Sequence, residues 1–259
     1  MLFLHPCITL EIITINGGNL MLLSRKKLAP LIAELLGTFT LTFVVLSVSK
    51  SAIGIPYFVA LAAGLTLTLM VLVVGATSGA HINPAVTFGL WSVKKIGTLK
   101  GILYIIAQFI GAIFAWKLYV YLIDNTIPSI GSKSYDWRIL TAELVGTLIF
   151  TFGLAAAVYQ GYEGGRKAAT IGGSLVLGIL VSSVVANGVL NPAVALGIQS
   201  WGTEYFVGPL VGGLIGINLY SLVFAGEPFA IKPSTRRASV PSKVTISTKG
   251  SKKNTSKKK

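Results

Sequence analysis

Asn-Pro-Ala-Val occurs twice in this chain, at Asn83–Val86 and at Asn191–Val194, 108 residues apart by subtraction of Asn83 from Asn191. An asparagine amide offers one acceptor oxygen and two N–H donors, and carries no charge. Asn followed by Pro reads as a helix N-cap followed by the first helical residue, where the missing N–H of Pro costs nothing. Pro84, Ala85, Pro192 and Ala193 therefore start and pack two helices, and Asn83 and Asn191 cap them. Glu34 and Glu143 recur in "AELLGTF" and "AELVGTL", again inside apolar stretches. A carboxylate in such a place is costly and often functional, so a proton relay is one reading. His81 is the other titratable candidate, with a pH gate as its sharper reading. His5 is the second histidine and Cys7 the one cysteine. No metal-ligand spacing, phosphate loop or nucleophile with a base accompanies them, so no catalytic residue, metal or cofactor is expected. These residues offer hydrogen-bond donors and helix ends, which orient a neutral polar solute without making or breaking bonds.

The elements that position them follow from composition. The 259 residues are 53% hydrophobic and only 12% charged, with a mean hydropathy of +0.76. That balance describes a polytopic membrane protein. A lone cysteine permits no intrachain disulfide, so the redox compartment is unreadable. Residues 1–20 lack basic residues before an apolar run and make a poor signal peptide. Met21, followed by "LLSRKKLAPLIAELLGTF", is expected to be the natural start. From Ala225 to Lys259 there are ten Lys or Arg and one acid, Glu227, among Pro, Ser and Thr. This composition predicts a disordered basic tail. Beside a membrane span its expected partner is anionic lipid headgroups rather than nucleic acid.

A helix needs roughly 20 apolar residues to cross the hydrocarbon core. Leu28–Ser49, Gly101–Ile123, Ile139–Tyr159 and Tyr205–Ala225 have that length. Ser51–Val93, with 43 residues free of Asp, Glu, Lys and Arg, and Ala168–Thr203, with 36, are each about one and a half spans. Each holds one Asn-Pro-Ala after a full span. The ten residues from Asn83 to Ser92 and from Asn191 to Ser200 would each rise about 15 Å, half a bilayer. The expected fold class is all-α: six transmembrane helices and two re-entrant half helices.

The chain also repeats. The offset is 109 between Glu34 and Glu143, and 108 between Gly64 and Gly172 and between Gly89 and Gly197. Three spans per repeat force the second repeat to run inverted. The half helices then enter from opposite faces and meet at the midplane, forming a composite seventh span. With the N-terminus inside, Arg25, Lys26, Lys27, Lys94, Lys95, Lys100, Arg166, Lys167 and the tail lie on the cytoplasmic side. Only Lys50, Lys117, Lys133 and Arg138 lie outside, so both termini are expected in the cytoplasm, with the protein in the cell membrane. The expected organisation is an extension over 1–27, a channel domain over 28–224 (repeats at about 28–123 and 138–224) and the tail over 225–259.

Non-helical backbone at membrane depth survives where it lines a cavity or is packed in protein. Two converging helix N-termini, each with about half a positive charge, should repel cations there. Each asparagine amide has donors left to aim at a passing solute.

"SGAHINPAVTFGLW", "AELLGTF", "AQFIGA", "LNPAV" and "VGPLVGG" resemble the signatures of the aquaporin, or major intrinsic protein, family over about Leu28–Phe224. The resemblance implies homotetramers with one pore per subunit and passive conduction of water or small neutral solutes. It implies that Asn83 and Asn191 donate into the pore. It implies that Glu34 and Glu143 accept backbone N–H groups of the re-entrant loops, and that His81 braces its loop. The family's outer constriction maps onto Ala63, Ile179, Gly188 and Val194, where the last is almost always Arg in the family. This filter would carry no charge, ring or side-chain donor, unless Arg138 folds inward from its loop. Glycerol-conducting relatives usually carry Asp where this chain has Ala195, and Pro where it has Tyr205-Phe206. The framework is therefore similar to water channels while the filter is wide and apolar. A non-conducting scaffold and an ion-leaky channel are the alternatives.

Overall fold

The computed structural model describes residues 25–52, 54–129 and 135–225. The expectations for Met21, His5, Cys7, Lys133 and the basic tail lie outside these residues. All regular structure among the described residues is helical: α1 (Arg25–Ser49), α2 (Pro56–Ser78), α3 (Pro84–Ser92), α4 (Thr98–Ile123), α5 (Trp137–Tyr159), α6 (Gly164–Ser182), α7 (Pro192–Gly197) and α8 (Thr203–Val223). Five of them, α1, α2, α4, α5 and α8, are long and apolar enough to cross a membrane. The 19-residue α6 falls outside that group, because Arg166 and Lys167 lie in its first turn and glycines recur along it. Its remaining Ile, Leu and Val still cover a span-length cylinder.

The two repeats are visible as equivalent pairings: α1 packs on α4 as α5 packs on α8, and α1 on α2 as α5 on α6. The half helices cross between repeats, α3 lying on α8 and α7 on α4. Lipid supplies no hydrophobic drive between helices, so close packing by small residues carries much of the association. A Cβ on Gly111 would collide with the Leu35 carbonyl, and one on Gly212 with the Leu144 carbonyl. These are equivalent crossings of the two repeats. At the centre, Gly64 of α2 faces the Gly172 carbonyl of α6, and Gly172 faces the Gly64 carbonyl. A side chain at either position would force these spans apart. Pro30 and Pro209 lie within α1 and α8, each forgoing one ladder bond in an otherwise continuous helix.

One element is shorter than expected. The first half helix spans nine residues, but the second spans six rather than reaching Ser200. Both end in the same way. Lys94 (φ 59) and Gln199 (φ 64) adopt left-handed backbone. Lys95 N–H returns to the Leu90 carbonyl at 2.9 Å, and Ser200 N–H to the Ala195 carbonyl at 3.0 Å. Each is a 6→1 closure of the Schellman type. The second closure falls earlier after its asparagine: it answers Ala195, five positions before Ser200, where the first answers Leu90. Helix α7 therefore rises only about 9 Å at 1.5 Å per residue.

Candidate functional site

The site is built at the two N-caps. Asn83 Oδ1 accepts Ala85 N–H at 2.8 Å, and Asn191 Oδ1 accepts Ala193 and Val194 N–H at 3.1 and 3.3 Å. Pro84 and Pro192 begin the helices, so the prolines open rather than break them. The amide nitrogens then cross between repeats. Asn83 Nδ2 donates to the Leu190 carbonyl and Asn191 Nδ2 to the Ile82 carbonyl, each at 2.9 Å. One of the two donors that sequence reasoning left free on each amide is therefore spent on the opposite loop, and one per amide remains.

Ile82 and Leu190 are the hinges of this exchange. Both hold left-handed backbone, with φ 39 and 52, an unfavourable region for bulky side chains. Buried carboxylates hold them there. Glu34 accepts His81 N–H at 2.9 Å and Ile82 N–H at 2.6 Å. Glu143 accepts Val189 N–H at 3.0 Å and Leu190 N–H at 2.8 Å. Each Glu turns one loop so that its carbonyl meets the other repeat's asparagine. Two backbone donors per carboxylate satisfy groups that would otherwise be costly at this depth.

Around this symmetric core the repeats differ. In the first, Gln108 Nε2 donates to Glu34 Oε2 at 2.8 Å and to Thr87 Oγ1 at 2.9 Å. His81 Nδ1 lies 3.2 Å from the same Thr87 hydroxyl, and the His81 ring stands edge-on to Tyr104. Tyr104 OH donates to the Ser78 carbonyl at 2.9 Å, closing the turn that enters the loop. In the second repeat the positions answering His81 and Thr87 are Val189 and Ala195. Sequence reasoning missed Gln108, Thr87 and Tyr104. A polar side chain inside the apolar span around "AQFIGA" was the signal for the first of them.

A cavity of about 240 Å³ runs beside the junction, and Asn83, Asn191 and His81 all line it. Ala63, Ile179, Gly188 and Val194 line it too, contributed by α2, α6, the following loop and α7. All four sequence-predicted constriction positions are thus brought to one space, and none contributes a polar side chain. Gly188 has φ 61, and a Cβ there would lie 2.9 Å from the Ile179 carbonyl, so only glycine suits this turn. Arg138 does not fold inward. Its guanidinium bonds Asp136 Oδ2 at 2.7 Å, and its side chain is 78% exposed. Asp136 caps α5 through Arg138 N–H, and this pairing holds its carboxyl down at about 2. Tyr205, buried near the same end, accepts Asn187 N–H at 3.3 Å, and Asn187 Nδ2 donates to Ser200 Oγ at 2.8 Å. Phe206 instead faces outward against Trp201.

A family model described as Major intrinsic protein matches residues 21–220. Aquaporin Z of Photorhabdus laumondii subsp. laumondii is 36% identical over 230 residues, 77% of this chain and 98% of that protein. Aquaporin-4 of Mus musculus is 31% identical over 207 residues, 74% of this chain and 63% of that protein. Among solved structures, the aquaglyceroporin from Plasmodium falciparum superposes with a TM-score of 0.62 at 22% identity, covering 76% of this chain and 96% of that one. That last likeness is one of fold.

Proposed function

The chain belongs to the major intrinsic protein family, and we propose that it conducts through the cavity shared by Asn83 and Asn191. It is an integral membrane protein and a passive channel for water and small solutes, not an enzyme. The observation that carries the proposed route is the crossed pair of amide bonds at one wall of that cavity. It leaves one N–H on each asparagine for a solute oxygen passing between the N-termini of α3 and α7. A water held by both donors turns its hydrogens away along the file, which interrupts a proton wire. The positive ends of the two helices oppose cations at the same point.

Past the junction the solute meets Ala63, Ile179, Gly188 and Val194. Weak apolar contact with no side-chain donor binds a neutral solute loosely and lets it leave. This filter discriminates by width more than by hydrogen bonding, so glycerol passes as well as water. Glu34, Glu143 and His81 act as supports, fixing the loops that present the asparagines. The carboxylates are occupied by backbone donors, an arrangement that favours support over proton relay.

The balance of basic residues orients both termini to the cytoplasm, across the cell membrane. Residues 28–224 form the channel domain, and the basic tail at 225–259 binds anionic headgroups. Four copies assemble, each with its own pore. Stopped-flow swelling of proteoliposomes with water, glycerol and urea, beside a proton-sensitive dye, tests the function. Faster volume change for water and glycerol than in protein-free vesicles is expected. Equal rates for every solute would contradict it and return the scaffold alternative.

A further inference from the structure

The cavity reaches the α1–α2 corner, where Ser49, Lys50 and Gly54 line it, and Ser183 and Asn187 are also among its lining residues. Among its described lining residues Lys50 alone belongs to the Asp, Glu, Lys and Arg set. No other described Asp, Glu, Lys or Arg lines it, and the buried Glu204 carboxylate nearby accepts the Asp136 N–H at 2.8 Å. Glu34 and Glu143 face backbone donors in the loops, and Arg138 pairs with Asp136. Lys117 lies over the Trp116 ring at 4.2 Å. Lys50 is exposed, one residue past α1, and its backbone N–H closes the helix on the Leu46 carbonyl at 3.1 Å. Its base is thus fixed at the rim, and its side chain is exposed. The constriction below it has no charged side chain.

We propose that Lys50 is a specificity-determining residue of this channel: its ammonium holds a positive potential over the mouth at the α1–α2 corner and disfavours cationic solutes before they reach the apolar constriction. This rests on the pore reading above. Neutral solutes feel no such barrier, so their flux is indifferent to the charge at position 50. A unit charge about 6 Å away in water changes the local concentration of a monovalent ion about threefold. The ratio of anion to cation at the mouth then shifts about tenfold, more where low-dielectric walls focus the field. Salt shortens the reach from about 10 Å at 0.1 M to about 3 Å at 1 M.

The potential is read with Ser183→Cys in the full chain carrying Cys7→Ser. Ser183 Oγ only bonds the Ile179 carbonyl in its own helix, so the thiol replaces it with little change. The labelling rates of this cysteine by anionic, cationic and neutral methanethiosulfonate reagents, each divided by the same reagent's rate with a small thiol in solution, are measured in proteoliposomes with Lys50, Lys50→Arg, Lys50→Gln and Lys50→Glu. The anionic-to-cationic rate ratio is expected to exceed one with Lys or Arg and to fall about tenfold with Gln. It should reverse with Glu and collapse toward one at 1 M salt, while neutral labelling and glycerol flux stay level. A ratio that does not follow the charge at position 50, in protein that still conducts glycerol, would overturn the proposal and leave the pore intact. Failure of the neutral reagent to label would overturn the proposal by closing the mouth. Loss of all solute flux in the parent protein would instead remove the pore reading itself.

Discussion

Asn83 and Leu190 lie 107 residues apart in the chain, and one hydrogen bond of 2.9 Å joins the asparagine amide to the leucine carbonyl. The bond from Asn191 to Ile82 mirrors it. Together they fasten the two repeats at the place where the half helices begin. Asn191→Asp keeps an acceptor for the Ala193 N–H but removes the donor to Ile82 and adds a negative charge. Loss of this buried bond should cost about 1–3 kcal/mol of stability. The added carboxylate should also weaken cation exclusion and change solute flux. Thermal melting in detergent and a proton-sensitive dye in vesicles read both effects. Unchanged permeability to every tested solute and ion would mean that Asn191 does not face the conduction path.

Glu143 has two backbone donors on its two oxygens. Glu143→Gln keeps one acceptor and turns an NH2 group toward a backbone N–H. The expected result is a loss of about 2–4 kcal/mol, as for other buried networks broken on one side. Channels that still assemble should show no new pH dependence of flux. A relay role predicts the reverse: normal stability and an altered proton response.

The Asp136–Arg138 pair lies at the surface and outside the cavity lining. Asp136 is lowered from 3.8 to about 2 by the arginine hydrogen bonds. A depressed folded value contributes stability above the unfolded value, and that contribution fades as pH falls from about 4 through 2. Asp136→Asn should therefore leave swelling rates unchanged and alter the melting temperature only above this window. A fall in glycerol flux at neutral pH would show that the pair reaches the pore after all.

Much of this architecture was legible in local signals. The apolar stretches, the paired "AEL" segments, the Asn-Pro starts and the inverted repeat all depend on neighbours in sequence. The observed long helices begin a few residues before their expected starts, at Arg25, Thr98, Trp137 and Thr203, because polar first turns continue the ladder without changing hydropathy. The shorter α7 was not legible, since its end is set by the left-handed Gln199, which has no glycine to announce it. The crossed amides were equally hidden, because they join residues more than 100 positions apart. Gln108 gave only a weak hint, one polar residue in an apolar span, and its partners Thr87 and Glu34 come from separate helices. The exposed pairing of Arg138 depended on Asp136, two residues before it, which supplies the nearer partner.

If Ala63, Ile179, Gly188 and Val194 form a wide apolar constriction, Val194→Arg should narrow it. The side chain of residue 194 belongs to α7 and lines the same cavity as Ala63 and Gly188. A guanidinium there would fill the volume that a larger solute uses and add a positive charge near the helix ends. Paired swelling assays at equal protein density should show glycerol permeability falling far more than water permeability, by about tenfold or more in their ratio if roughly 1.4 kcal/mol of barrier is added for glycerol alone. Any proton leak should fall with it. A glycerol-to-water ratio that stays constant or rises would mean that position 194 does not line the narrowest part of the path.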